Sequence, residues 1–146
     1  MTTPSRDDRL AIVDLTIAYC WALDTHDWAG LESVFATDAT ADLAAPPLHG
    51  VAEITERVRR ALDTLDASQH MVGNHQVVVE EGGTSATCRC YLQAQHVRRG
   101  TPGGDTFIVG GRYWDALALG PNGWRISHRR LEILWREGNP MVMQPR

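Results

Sequence analysis

The chain changes periodicity once. Before about residue 67 apolar residues recur at the spacing of helices, and afterwards they alternate in four runs rich in Val, Ile, Tyr and Trp. From Arg6 to Leu23 the pattern Leu10, Ile12, Val13, Ile17, Trp21, Leu23 predicts a helix. A second helical stretch is expected from "HDW", with Asp27 as N-cap and Leu31, Val34 and Phe35 turned inward. "ATADLAA" predicts a short strand before the "PP" break. "VAEITERVRRALDTLDAS" predicts an amphipathic helix burying Val51, Ile54, Val58, Leu62 and Leu65. The runs "HMVGNHQVVVEEGG", "SATCRCYLQAQHV", "DTFIVGGRYWDALAL" and "GWRISHRRLEILW" then predict four strands, separated by turn formers. Helices first and strands afterwards define an α+β class, with the helices packed on one face of a curved, mostly antiparallel sheet. The tail "GNPMVMQPR" is expected to be irregular.

Such a sheet can leave a pocket at its open end, so the question becomes what chemistry it would hold. The 146 residues fit one domain, 1–146. They contain no lysine, which removes Schiff-base nucleophiles and phosphate loops together. A net charge of −4 argues against a nucleic-acid partner, which needs clustered cations. "MTTPSRDDRL" lacks the apolar core of a signal peptide, and no run approaches the roughly 20 apolar residues of a membrane span. A cytoplasmic protein without a membrane partner is the expectation. Cys20, Cys88 and Cys90 have neither redox nor zinc spacing and are expected to be small buried hydrophobes.

Two residues stand out as candidate chemistry. Asp24 closes the first helix seven positions after Ile17, which places it on the predicted inward face; an inward carboxylate needs a partner. The ordinary reading is a solvated or capping carboxylate. His70 opens the strand run, and alternation puts His70, Val72 and Asn74 on one face. A lone strand histidine is usually structural, but one oriented by a carboxylate is a standard general base. Tyr113 shares a face with Asp115 and Trp114 takes the other; either set could line a cavity. One of the adjacent Arg129 and Arg130 should face inward, where it would bind an oxyanion or a carboxylate. Six histidines occur without HxH or HExxH spacing, so no metal site is predicted. "GGRYWD" lies inside a predicted strand, and its glycines mark a bulge or a close approach over a helix rather than a phosphate loop.

"YCWALDTHDWAGLESVFATDATAD", "SQHMVGN", "GGRYWDAL" and "GWRISHRRLEILWREGNP", in that order, resemble the SnoaL-like branch of the nuclear transport factor two superfamily over nearly the whole chain. The resemblance implies a cone-shaped fold enclosing a pocket. The patterns are similar to those of bile-acid dehydratases, scytalone dehydratase and the lindane dehydrochlorinase, lyases that work without a cofactor. Their Tyr-x-x-x-x-Asp is matched by Tyr19 and Asp24, and their strand histidine by His70. This implies that Asp24 orients His70, that His70 takes a proton from carbon, and that Tyr19 hydrogen-bonds the leaving group or a carbonyl. The dehydrochlorinase type favours Arg129 over Arg130. Where bile-acid dehydratases carry an extra acid this chain has Ala94, and His96 on the same strand face is its candidate substitute.

The expectation is therefore a cofactor-independent dehydratase of a small hydrophobic cyclic or polyketide-like molecule. Asn74, His96, Tyr113, Trp114 and Arg129 are the candidate substrate contacts. A ketosteroid-isomerase-like isomerase or polyketide cyclase is the rival enzyme. A non-catalytic subunit, like the β subunits of ring-hydroxylating dioxygenases, is the rival of another kind. A homo-oligomer, trimer or dimer, is expected to cover exposed sheet surface.

Overall fold

The structure is a computed structural model whose described residues run from Ser5 to Gln144. Both chain ends, including the first four residues of the amino-terminal stretch and the last two of the tail, lie outside that range.

Helix α1 (Arg6–Asp24) starts where the Ser5 hydroxyl accepts the Asp8 amide, with Asp7 and Asp8 in the first turn against the positive end of the helix dipole. It buries Ile12, Thr16, Tyr19, Cys20 and Leu23, a true helical stripe. Leu10, Ile17 and Trp21 are exposed. Apolar residues occupy both sides of this helix, so periodicity alone could not choose the packed one. The stretch after Asp27 forms a 3-10 turn, Trp28–Ser33, capped as expected by the Asp27 carboxylate accepting the Gly30 amide.

Strand β1 (Phe35–Asp42) starts earlier than "ATADLAA" suggested, and a two-residue strand β2 (Leu48–His49) follows. Helix α2 (Val51–Leu62) buries Ile54, Val58 and Leu62. It stops short of residue 68 because the chain turns at Asp63 and Thr64 and is paired as a strand from Ala67. Strands β3 (Ala67–Val79), β4 (Ser85–Val97), β5 (Thr106–Gly120) and β6 (Gly123–Gly138) complete a six-stranded sheet in the order β2-β1-β6-β5-β4-β3. All neighbours are antiparallel except β1 and β6, which run parallel. Both helices pack on one face, and Ile12, Leu31, Ile54 and Ile126 are wholly buried there. Each contributes on the order of 1.5–3 kcal/mol through its burial. The tail is not irregular throughout: Pro140–Met143 forms a 3-10 turn with Val142 fully buried. The Arg98 guanidinium anchors it by donating to the Met141 and Gln144 carbonyls. Among the described residues no helix is long and apolar enough to cross a membrane.

Three bulges decide which side chains face the helices. On β3 one extra residue lies between Gly73 and Gln76, with Asn74 in the left-handed region at φ 56. On β6 one extra residue falls at Ser127 and another at Leu134. Along β6 the inward set therefore starts as Trp124 and Ile126. It changes parity to Arg129, Leu131 and Ile133, and changes again to reach Arg136.

Candidate active site

The end of α1, the start of β3 and the inner faces of β4–β6 enclose a cavity of about 270 Å³, closed on its other side by α2 and Met143. Leu23, Leu62, Leu92, Phe107, Val109 and Leu131 make most of its wall apolar. Its polar groups come from Tyr19, His70, His96, Tyr113, Arg57 and Arg136. This volume, about 270 Å³, lies just below the usual range for small-molecule sites, roughly 300–1,000 Å³.

Asp24 reaches this wall because it follows Cys20 and Leu23 on the buried stripe; Ile17, from which its position was inferred, faces outward. Its Oδ1 accepts the His70 ring Nδ1 at 2.6 Å and the Ser68 hydroxyl at 2.9 Å. Its Oδ2 accepts the His70 backbone amide at 2.8 Å. Burial opposes the charge of this carboxylate, but the bonds from His70 and Ser68 together hold its pKa below the ordinary value. An ionised carboxylate only accepts, so Nδ1 carries the proton, and Nε2 of the neutral ring keeps its lone pair. The His70 side chain is 6% exposed and lines the cavity.

His96 stands beside it, ring centroids 5.7 Å apart and nearly perpendicular. Its Nδ1 donates to the Phe107 carbonyl at 3.0 Å, which again leaves Nε2 as the unprotonated nitrogen. Burial lowers its pKa to about 4, so it is a neutral acceptor at pH 7. Of the two rings only that of His70 has a carboxylate at its back. Tyr19 and Tyr113 contact each other edge to face, ring centroids 5.9 Å apart, and both line the cavity. Burial raises both phenol pKa values and keeps them neutral donors.

Three predicted substrate contacts lie elsewhere. Asn74 is exposed on the outer face of the sheet, because the β3 bulge shifts the alternation and turns His75 towards helix α1 instead. There His75 Nε2 donates to the Thr16 hydroxyl at 2.8 Å, which itself donates to Val13. Trp114 is also on the outer face, with the Arg130 guanidinium 5.9 Å from its ring centroid. Arg129 does face inward, as chosen over Arg130, but it is wholly buried and not part of the cavity wall. The carboxylate it binds is internal: Nε and Nη2 donate to Asp115 at 2.7 and 2.8 Å. Its guanidinium lies 3.9 Å from the Tyr113 ring centroid and 4.4 Å from that of Tyr19. It thus braces the two phenols from behind. Burial disfavours its charge, but Asp115 more than offsets this and raises its pKa.

The glycines of "GGRYWD" do mark a close approach, though by the sheet's own side chain rather than a helix: a Cβ at Gly110 would overlap the Trp135 indole. Cys20, Cys88 and Cys90 are free and buried, with thiol pKa values pushed up by burial to about 12, 12 and 11. Among the described residues no three His, Cys, Asp or Glu side chains converge on a possible metal position. Ser68, Arg57 and Arg136 were missed in the sequence. Ser68 was accessible in principle, two residues before His70 on the same strand face.

The same fold is seen in a solved structure from Salmonella enterica described as a nuclear transport factor 2-like superfamily protein, 19% identical with a TM-score of 0.79 over 92% of this chain and 96% of that one, a likeness of fold. The chain belongs to the SnoaL-like domain family, whose model matches residues 4–130. It is 32% identical over 129 residues to the uncharacterized protein Rv2910c of Mycobacterium tuberculosis, across 84% of this chain and 82% of that one. Two solved structures from Novosphingobium aromaticivorans are similar. One, described as a "putative aromatic ring hydroxylase", is 29% identical with a TM-score of 0.85 over 97% of this chain and 100% of that one. The other, described as a "putative scytalone dehydratase", is 20% identical with a TM-score of 0.78 over 92% of each chain. At that identity the second likeness concerns the fold.

Proposed function

We propose that this protein is a cofactor-independent lyase, a dehydratase of a small hydrophobic cyclic or polyketide-like substrate, with His70 as general base. The observation that supports it most is the 2.6 Å bond from Asp24 Oδ1 to His70 Nδ1 beside a mostly apolar cavity. In this reading Nε2 of His70 takes a proton from the carbon next to a carbonyl. Asp24 stabilises the imidazolium that forms, and general-base catalysis by a histidine positioned in this way contributes roughly 10²–10⁴-fold. The electron pair released from the C–H bond becomes the new double bond as the C–O bond breaks. The departing hydroxide leaves as water with the proton returned from His70, and the base is restored. The Tyr19 phenol donates to the carbonyl or leaving oxygen, and Nε2 of His96 accepts from a substrate hydroxyl.

Among the described residues the cavity wall carries no carboxylic acid, and the resemblance to bile-acid dehydratases puts Ala94 where those enzymes carry an extra acid. That favours keeping a second reading, in which His70 returns the proton to another carbon of the same molecule (isomerisation), or to the alkoxide oxygen left when the carbanion attacks a carbonyl carbon of the same molecule (cyclisation). Isomerisation or cyclisation of this kind needs one base and one phenol and no acid for a leaving group. A screen of hydroxylated cyclic ketones, following water loss and double-bond migration by proton NMR, separates the two. No turnover of any member by a well-folded protein would favour a non-catalytic binding subunit.

A further inference from the structure

We infer that the cavity takes an amphipathic anion, an apolar ring body inside and a carboxylate held at the mouth by Arg57 and Arg136. The inference rests on the proposed role of this cavity as the substrate site and adds the chemical class of the substrate.

Arg57 of α2 is half-buried and Arg136 of β6 is exposed, whereas Tyr19, Tyr113 and His96, which line the same cavity, are buried. The two cations are therefore at its solvent side. Neither has an ion pair or side-chain hydrogen bond among the described residues. Arg59, Arg99, Arg112 and Arg129 all have carboxylate partners. The glutamates nearest Arg57 in the sequence are engaged elsewhere, Glu53 with the His49 amide and Glu56 with Arg59. Among the described residues no Asp or Glu lines the cavity, and the carboxylates behind its wall are committed, Asp24 to His70 and Ser68 and Asp115 to Arg129. A protein with a net charge of −4 thus presents two uncompensated cations around an apolar opening.

The position of Arg136 depends on the backbone. Regular alternation from Leu131 and Ile133 would turn Trp135 into the cavity. The extra residue at Leu134 re-aims the strand, lays Trp135 over Gly110 and brings Arg136 to the cavity wall. Gly110 has no side chain to obstruct that arrangement. An arginine fork matches a carboxylate with two parallel donors, and beside apolar surface such bonds are among the stronger hydrogen bonds. A substrate anchored this way by its head would present its ring to His70.

The test is isothermal titration calorimetry at pH 8 with 2-naphthoate and its neutral isostere 2-naphthamide. The wild-type protein should bind the carboxylate about tenfold or more tightly than the amide. The R57Q/R136Q variant, its fold checked by circular dichroism, should lose that advantage while its affinity for the amide stays unchanged. His70→Ala should retain it. Equal affinity for the two probes in the wild type, or saturation by neither, would overturn the inference. So would an advantage that survives in R57Q/R136Q or disappears in His70→Ala, since the cation would then lie elsewhere. The lyase reading fails separately: a His70→Ala protein that keeps full turnover while the carboxylate preference stands removes the base and leaves the anion site.

Discussion

Asp24 grips His70 twice, through the ring Nδ1 at 2.6 Å and through the backbone amide at 2.8 Å. The second bond fixes where the strand begins relative to the helix end, and the first fixes which ring nitrogen is free. Positioning and tautomer therefore depend on one carboxylate.

Asp24→Asn is accordingly expected to lower kcat by roughly 10²–10⁴-fold, because an amide neither stabilises an imidazolium nor holds one tautomer. The D24N/H70A double variant should be scarcely slower than His70→Ala, since residues acting as a unit are not additive. Steady-state kinetics on a substrate from the ketone screen checks both. A double variant slower by the product of the two single effects would contradict the shared role.

Tyr19→Phe is expected to cost less, about one hydrogen bond, or roughly 0.5–1.5 kcal/mol of transition-state stabilisation. The comparison is kcat/KM of the variant with that of the wild type. A larger loss would mean that full charge develops on the oxygen Tyr19 contacts.

Acid should weaken the fold in two steps. The folded pKa of His96 is depressed from 6.5 to about 4 by burial. The unfolded chain therefore binds a proton that the folded chain refuses, and stability present above pH 6.5 is lost as pH falls towards 4. Over that window the loss amounts to about 3 kcal/mol. Asp24, also depressed, adds a loss below its unfolded value of 3.8. Urea denaturation between pH 4 and 7.5 should show the first slope, and His96→Gln should reduce it, leaving the contribution of His75, whose pKa burial also lowers.

The Asp115–Arg129 pair, wholly buried on both sides, should behave as structure rather than chemistry. Asp115→Asn leaves a buried guanidinium uncompensated and is expected to cost roughly 3–5 kcal/mol. D115L/R129M should cost less than Asp115→Asn alone, because no charge remains buried. Urea midpoints for the two variants decide this.

Much of the architecture was legible in the sequence because periodicity is a direct consequence of burial. The long helices, the four long strands and the turns between them follow from it. Parity was not legible. Each bulge inserts one residue and reverses every inward assignment after it, and nothing in "SHRRLEILWREG" signals where those residues fall. Asn74 was misassigned for this reason, and Arg136 was missed for it. Arg129 was placed inward by resemblance, but its pairing with Asp115 depends on a cross-strand register that spacing does not reveal. Asp24 and His70 escaped the problem because each sits at an element end, ahead of any bulge. On the first helix, apolar residues on both sides made Ile17 a misleading guide to the inward face.

Removal of a carbon-bound proton by His70 is measured by hydrogen exchange in D₂O. Members of the ketone screen are incubated with wild-type protein and with His70→Ala, and deuterium incorporation at the α-carbon or in the product is followed by NMR. The wild type should catalyse exchange or elimination. His70→Ala should be slower by at least about 10²-fold, with its thermal midpoint near that of the wild type. Exchange at nearly wild-type rate in His70→Ala would contradict the account, because the base would then be another residue.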